Sequence, residues 1–271
     1  MMTHASPLIE IKKLWKEYGD NIVLEKLNLN VFPGDFISIV GASGCGKTTF
    51  LNMLLGIEKA SRGELLLDGQ PLPNEPSVER GIVFQKYSVF PHLTALENVM
   101  LGKDFESRGV LSWLLGRGFG PHQKQAKQQA VALLQQVGLG HALDKYPHEL
   151  SGGMRQRLSI AQSLIKKPRI LLLDEPFGAL DPGIRKEMHA LIKTLCQEQQ
   201  LTVFMITHDL SEGFELGNRL WVFDHVRLDE QAPERFGAQV TFDIDVGRTS
   251  PQQASAILNH PLTSISEKKI A

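Results

Sequence analysis

Three kinds of hydrophobic pattern succeed one another along the chain. Residues 8–32 alternate, with Leu27, Leu29 and Val31 on one side and Lys26, Asn28 and Asn30 on the other. A period of two predicts half-exposed strands of an antiparallel sheet. Continuous apolar runs follow at Phe36–Val40, Gly81–Phe84, Ile170–Leu173 and Val203–Ile206, as expected of buried strands. Helical stripes separate them. Ala126, Ala130, Val131, Leu133, Leu134 and Val137 line a helix from Pro121 to Val137, with Gly138 as its stop. Leu158, Ile160, Ala161, Leu164 and Ile165 line another, and Met188, Leu191, Ile192 and Leu195 mark a crossover helix that implies a parallel sheet.

Shorter signals fill the gaps. Gly63–Gly69 reads as a short strand and tight turn, and Pro71, Pro73 and Pro76 mark a surface loop. The pattern weakens after Asp224, but Val240–Val246 alternates again, with Asp243 and Asp245 opposite Phe242 and Ile244 as on a charged edge strand. From Ser250 onward the chain reads as a short helix and a loose tail. Gly109–Gly116 is apolar and glycine-interrupted, equally a partner patch or the packing edge of a helical lobe. The expectation is an α/β fold with a parallel sheet, an N-terminal antiparallel β subdomain and an inserted helical subdomain.

Composition changes this picture little. The 271 residues can bury a large core, and 42% hydrophobic with 22% charged residues suits a soluble globular protein. The net charge of −1 gives no overall footprint for nucleic acid. Cys45 and Cys196 are far apart in sequence, which suggests a reduced cytosolic chain without a disulfide framework. No apolar run reaches the roughly 18 residues of a bilayer span, and the N-terminus lacks a secretory pattern. Function at a membrane therefore calls for a separate anchor.

The chemistry concentrates at Gly41-Ala42-Ser43-Gly44-Cys45-Gly46-Lys47-Thr48-Thr49, between a predicted strand and helix. This is G-x-x-x-x-G-K-[ST] in the context the pattern requires, and it predicts nucleoside triphosphate binding. Glycines let the loop turn its N–H groups inward around an anion, and the helix adds the positive end of its dipole. Lys47 supplies a charge for phosphate oxygens, and the Thr48 hydroxyl is a hard ligand for Mg2+. Cys45, near a helix start, is expected to favour the thiolate.

Ile170–Leu173 ends in Asp174 and Glu175, where such a sheet presents a Mg2+ partner and an acid that polarises water. Gln85 closes another strand. Ser151-Gly152-Gly153 offers either an ordinary helix cap or a second phosphate cradle. Taken alone, Tyr18 reads as a nucleobase platform or a packing aromatic, and His208 as a satisfied polar group.

The ordered series Tyr18, 41–48, Gln85, L-S-G-G-M at 150–154, L-L-L-D-E-P at 171–176, A-L-D at 179–181 and His208 resembles the ATP-binding cassette ATPases over residues 8–224. Within that span the resemblance implies a helical subdomain at about 91–165, leaving 225–271 as a short C-terminal extension. It implies an ATPase working as a head-to-tail homodimer with two ATP molecules between its cassettes. Tyr18 would stack on adenine; Gly41 to Thr49 would hold the phosphates; Thr48 and Gln85 would hold Mg2+, with Asp174 contacting it through water. Ser151, Gly152 and Gly153 would grip the γ-phosphate on the opposite subunit, and Asp181 would report across the interface. Glu175 would be the general base, with His208 and Gln85 completing the catalytic group.

Further wording resembles bacterial importers. D-E-P-F-G-A-L-D at 174–181 and F-P-H-L-T-A-L-E-N-V at 90–99 are similar to the nitrate/sulfonate/taurine group, and 208–224 to cassettes of urea or guanidine metabolism. The implied partners are transmembrane permease subunits, contacted by Gln85 to Val99, and indirectly an extracytoplasmic solute-binding protein. The implied place is peripheral, on the cytoplasmic face of the inner membrane, with no nucleic acid expected. A soluble cassette acting on a macromolecular complex is the alternative, and an export cassette a third reading.

Overall fold

The computed structural model describes residues 6–85, 88–107, 121–227, 229 and 231–247. They form two compact units, Met1–Ser77 with Gln200–Ala271, and Val78–Gln199. The expectations for 109–116 and for the tail beyond Ser250 lie outside the described residues.

The first unit opens with β1 (Ile9–Tyr18) and β2 (Asn21–Val31), joined at Gly19 with φ 59°. They pair antiparallel from Ile9↔Val31 to Tyr18↔Asn21, and β1 also pairs antiparallel with β4 (Arg62–Leu67) from Ile9↔Leu67. Leu27 and Val31 are buried while Lys26, Asn28 and Asn30 are exposed, as the alternation predicts. A two-residue strand β5 (Gln70–Pro71) completes this sheet in the order β2-β1-β4-β5.

A second set of strands runs in the order β10-β9-β3-β8, formed by β3 (Phe36–Gly41), β8 (Thr202–Ile206), β9 (Arg219–Asp224) and β10 (Gln239–Asp245). β3 is parallel to both neighbours, through Phe36↔Val203 and Ile37↔Arg219. β10 is antiparallel to β9, with Asp243 opposite Trp221. Helix α1 (Lys47–Leu55) lays Phe50 on this sheet, 6.3 Å from Phe204, 6.1 Å from Trp221 and 5.5 Å from Phe223 between ring centroids. Each ring is fully buried, which contributes about 1.5–3 kcal/mol apiece.

The Asp243 charge does more than blunt an edge. It accepts from Trp221 Nε1 at 2.9 Å and pairs with Arg219, whose Nη1 also donates to Asn30 O (2.7 Å) and Asp35 Oδ2 (2.8 Å). Ala238 is also tied to β2: Glu25 N donates to Ala238 O at 2.9 Å and Ala238 N to Val23 O at 3.0 Å.

The second unit holds the parallel pair β6 (Arg80–Val83) and β7 (Ile170–Asp174), in register from Arg80↔Ile170 to Val83↔Leu173. Gly81 permits the close approach to the Ser163 carbonyl, which an added Cβ would meet at 2.9 Å. Its helices are α2 (Ala95–Ser107), α3 (Pro121–Gln136), α4 (Gly152–Leu164) and α5 (Pro182–Gln199). α2 starts in a reciprocal cap: Thr94 N donates to Glu97 Oε2 (2.8 Å) and Glu97 N to Thr94 Oγ1 (3.3 Å). Back in the first unit, α6 (Leu210–Leu216) follows β8, and Asp209 caps it by accepting from Ser211 N and Glu212 N.

Candidate functional site

In the first unit, the phosphate-loop candidate leaves β3 at Gly41 and enters α1 at Lys47. Glycine is dictated at two points. A Cβ on Gly41 would stand 2.2 Å from the Phe223 carbonyl, and one on Gly46 would meet Leu24 Cδ2 at 2.7 Å with φ at +85°. The backbone can therefore approach β9 at Gly41 and β2 at Gly46 only without a side chain there. Ala42, Ser43, Gly44 and the Thr48 hydroxyl lie at the surface or partly so, while Lys47 is buried. Its Nζ donates to Gly41 O (2.8 Å) and Ala42 O (2.7 Å) and contacts Cys45 Sγ (3.8 Å). A buried cation is thus held inside the ring of the loop by carbonyl oxygens.

The expectation for Cys45 is corrected here. The residue is 1% exposed, and burial pushes its thiol up from the usual range. The Lys47 ammonium pulls the other way but is outweighed, and the Asp224 charge adds to the rise. The desolvation of a thiolate wins over its helix-start position. Burial likewise raises Asp224, at the end of β9.

Tyr18 ends β1 and is 47% exposed, so it is no core aromatic. Glu58 and Thr49, just after and within α1, act on its hydroxyl. Lys16 Nζ lies 4.5 Å from the ring centroid. Burial, reinforced by Glu58, raises the phenol. The sequence reading missed Lys16 and Glu58. For Lys16 a signal existed, since strand residues i and i+2 share a face. Glu58 carried none. His208 is exposed in the bend between β8 and α6. Beside it, Thr207 Oγ1 hydrogen-bonds Glu212 and accepts from Asp209 N at 3.0 Å.

In the second unit, β7 delivers Asp174 and Glu175, both half-buried. Glu175 has φ +47°, a left-handed conformation uncommon for a residue with a side chain and costing about 1 kcal/mol. β6 ends at Val83, so Gln85 lies two residues beyond the strand it was expected to close. That slack lets its side chain reach Glu175, and Gln85 Nε2 donates to Glu175 Oε2 at 2.8 Å. The amide oxygen of Gln85 is left as the acceptor, a group suited to Mg2+. The Asp174 carboxylate in this unit and the Thr48 hydroxyl in the first are, each by itself, hard oxygen donors of the kind Mg2+ prefers.

Ser151 caps α4, its Oγ accepting from Met154 N at 3.3 Å, so the ordinary cap is present. Gly153 is buried where a Cβ would meet Ile184 Cγ2 at 2.6 Å, while Ser151 is exposed and Gly152 half-exposed. Asp181 is exposed at the start of α5 and accepts from Arg185 N through its carbonyl at 2.9 Å. Phe84 and Phe90 are exposed near Gln85 in sequence. Fully buried Asn98 pins the chain there, accepting from Phe90 N (2.7 Å) and donating to the carbonyls of Phe90, Leu93 and Thr94.

A family profile described as ABC transporter matches residues 24–178. The chain is 38% identical over 231 residues to the spermidine/putrescine import ATP-binding protein PotA of Chromobacterium violaceum, covering 84% of this chain and 60% of that protein. It is 37% identical over 243 residues to the bicarbonate transport ATP-binding protein CmpC of Synechocystis sp., covering 90% of this chain and 33% of that one. The chain thus spans less than two thirds of these relatives' length. Among solved structures, the dimeric bacterial ABC transporter cassette MJ0796 superposes with a TM-score of 0.69 at 30% identity, over 88% of this chain and 98% of that one.

Proposed function

The chain belongs to the ABC transporter family, and from that premise we propose that it is the ATP-hydrolysing subunit of a bacterial importer. The observation that carries the reading is the glycine turn at the start of α1, with the buried Lys47 ammonium gathered inside it by Gly41 O and Ala42 O. A triphosphate offers that ammonium charged acceptors in place of neutral carbonyls, a stronger class of hydrogen bond.

Around such a phosphate the named residues divide the work. The loop amides from Gly41 to Thr49 and Lys47 bind the phosphates, and Tyr18 stacks on the base. Thr48, Gln85 and Asp174 hold Mg2+, which when bound neutralises charge on the phosphate oxygens. Glu175 takes the proton of the attacking water, while Gln85 fixes the Glu175 carboxylate and His208 orients the water. Ser151, Gly152, Gly153 and Asp181 act across a homodimer, for which the dimeric MJ0796 cassette is the supporting precedent. Exposed Phe84 and Phe90, on a segment pinned by Asn98, suit contact with a permease. The permease would hold the chain at the cytoplasmic face; no helix among the described residues is long and apolar enough to cross a membrane.

The finer reading is a small solute of the nitrate, sulfonate or taurine kind, or of the urea or guanidine kind, brought by a solute-binding protein. The test is ATPase activity of the full chain reconstituted with its permease and binding protein, against nitrate, taurine, bicarbonate, urea, guanidinium and spermidine. Stimulation by one solute class identifies the cargo. An active ATPase that assembles with no permease would replace this reading with the soluble cassette.

A further inference from the structure

The aromatic platform at Tyr18 is built from more than its ring. Lys16 is 8% exposed, and its Nζ is fixed by three groups at once: Glu58 Oε2 at 2.7 Å, Lys59 O at 3.0 Å, and the Tyr18 ring centroid at 4.5 Å. Glu58 thus anchors the ammonium that faces the ring. The ring is held against a cation by its π system, yet the residue remains nearly half exposed. A packing role would bury the ring. A surface tyrosine with no role would not need a desolvated lysine beneath it, since hiding that charge costs free energy that the ion pair must offset.

We propose that Lys16, locked by Glu58, is a positioning residue for nucleobase binding. It holds the Tyr18 ring at a fixed setting relative to the phosphate loop, so that a purine stacks on it without first ordering the side chain. The ammonium also draws electron density toward its own side of the ring, which leaves the platform better matched to an electron-rich base. The phosphate loop itself needs none of this. Lys16 thus acts on the base end of the ligand alone.

This inference rests on the proposed stacking of ATP on Tyr18, and the test separates the two. Affinities of the full chain for Mg-ATP and for Mg-tripolyphosphate, which has no base, are measured by calorimetry in wild type, Tyr18→Ala, Lys16→Met, Lys16→Arg and Glu58→Gln. Lys16→Met, matched in length and apolar, should weaken ATP binding about three- to tenfold and leave tripolyphosphate binding unchanged. Glu58→Gln should show the same split more weakly, and Lys16→Arg should restore much of the loss. In a Tyr18→Ala background, Lys16→Met should have no further effect on ATP.

Equal weakening of both ligands in Lys16→Met would make Lys16 a support of the fold and overturn the proposal. Unchanged ATP affinity in Lys16→Met, with Tyr18→Ala still selective for the base, overturns it while leaving the stacking intact. A base-selective loss in neither variant overturns both. Should Lys16→Met fail to fold, Glu58→Gln and Lys16→Arg carry the same comparison.

Discussion

Gln85 Nε2 and Glu175 Oε2 meet at 2.8 Å across 90 positions of sequence. β6 and β7 run parallel and in register, so residues just past their ends are delivered to the same edge. Glu175 turns out of its strand through a left-handed backbone angle, and Gln85 arrives from a segment two residues longer than its strand. An amide therefore holds a carboxylate that the sequence could place only at the end of a strand.

Replacing Glu175 with Gln should leave ATP binding intact and slow hydrolysis at least about a hundredfold, the loss expected of a general base. Binding by fluorescence titration and turnover by phosphate release separate the two. Near-normal turnover would remove Glu175 from the mechanism.

Gln85→Leu removes the donor to Glu175 without adding charge. Turnover should fall roughly tenfold to a hundredfold through lost orientation of the base, with a smaller loss of Mg-ATP affinity from the missing Mg2+ donor. An affinity loss as large as the rate loss would mean that Gln85 acts through Mg2+ alone and not through Glu175.

Two glycines of the phosphate loop should differ sharply on substitution. Gly41→Ala forces a Cβ to 2.2 Å from the Phe223 carbonyl, a backbone atom that cannot swing aside, and should cost about 3 kcal/mol or more. Gly44→Ala meets nothing within 4 Å and has only its φ of +81° against it, a cost of about 1 kcal/mol. Urea unfolding of both variants checks the ranking, and equal costs would contradict the close approach of the loop to β9.

Burial raises Cys45 and pushes Cys196 up to about 12. Both are thiols at neutral pH, so iodoacetamide at pH 7.5 should label neither in the folded chain and both in urea, as read by mass spectrometry. For Cys196 the folded state keeps its proton where the unfolded chain, with the ordinary value of 9.0, has released it. Its contribution is complete below pH 9 and lost as pH rises toward 12, at a slope of up to ~1.4 kcal/mol per pH unit. Cys196→Ala should flatten that alkaline decline, whatever it does to stability at pH 7.

Periodicity made most elements legible. The alternation at 27–31 matches the burial of β2, and the stripe ending at Val137 gives α3 almost to the residue. The phosphate loop was readable because its glycines answer to local backbone geometry. What escaped depends on distant packing. Cys45 looked activated by its helix start, and only the three-dimensional burial beneath it shows otherwise. Glu58 has no pattern of its own, because its role is set by a strand more than one element earlier. Asp243 read as a repelling edge charge, while in the fold it binds Arg219 and Trp221.

The division of the chain also fixes an order of completion during synthesis. The second unit is one continuous segment, Val78–Gln199, whereas the first is written in two parts on either side of it. The strand that launches the phosphate loop leaves the ribosome early, yet both its neighbours are encoded after residue 200. Gly34 waits 168 residues for Thr202, and Phe36 waits 182 for Asn218. While the inserted segment folds, β3 stands with bare edges and an apolar face, the kind of intermediate that recruits chaperones or pairs wrongly. Pauses in translation near residue 200 would lengthen that exposure, so the yield of folded protein depends on how fast the message just beyond residue 200 is read.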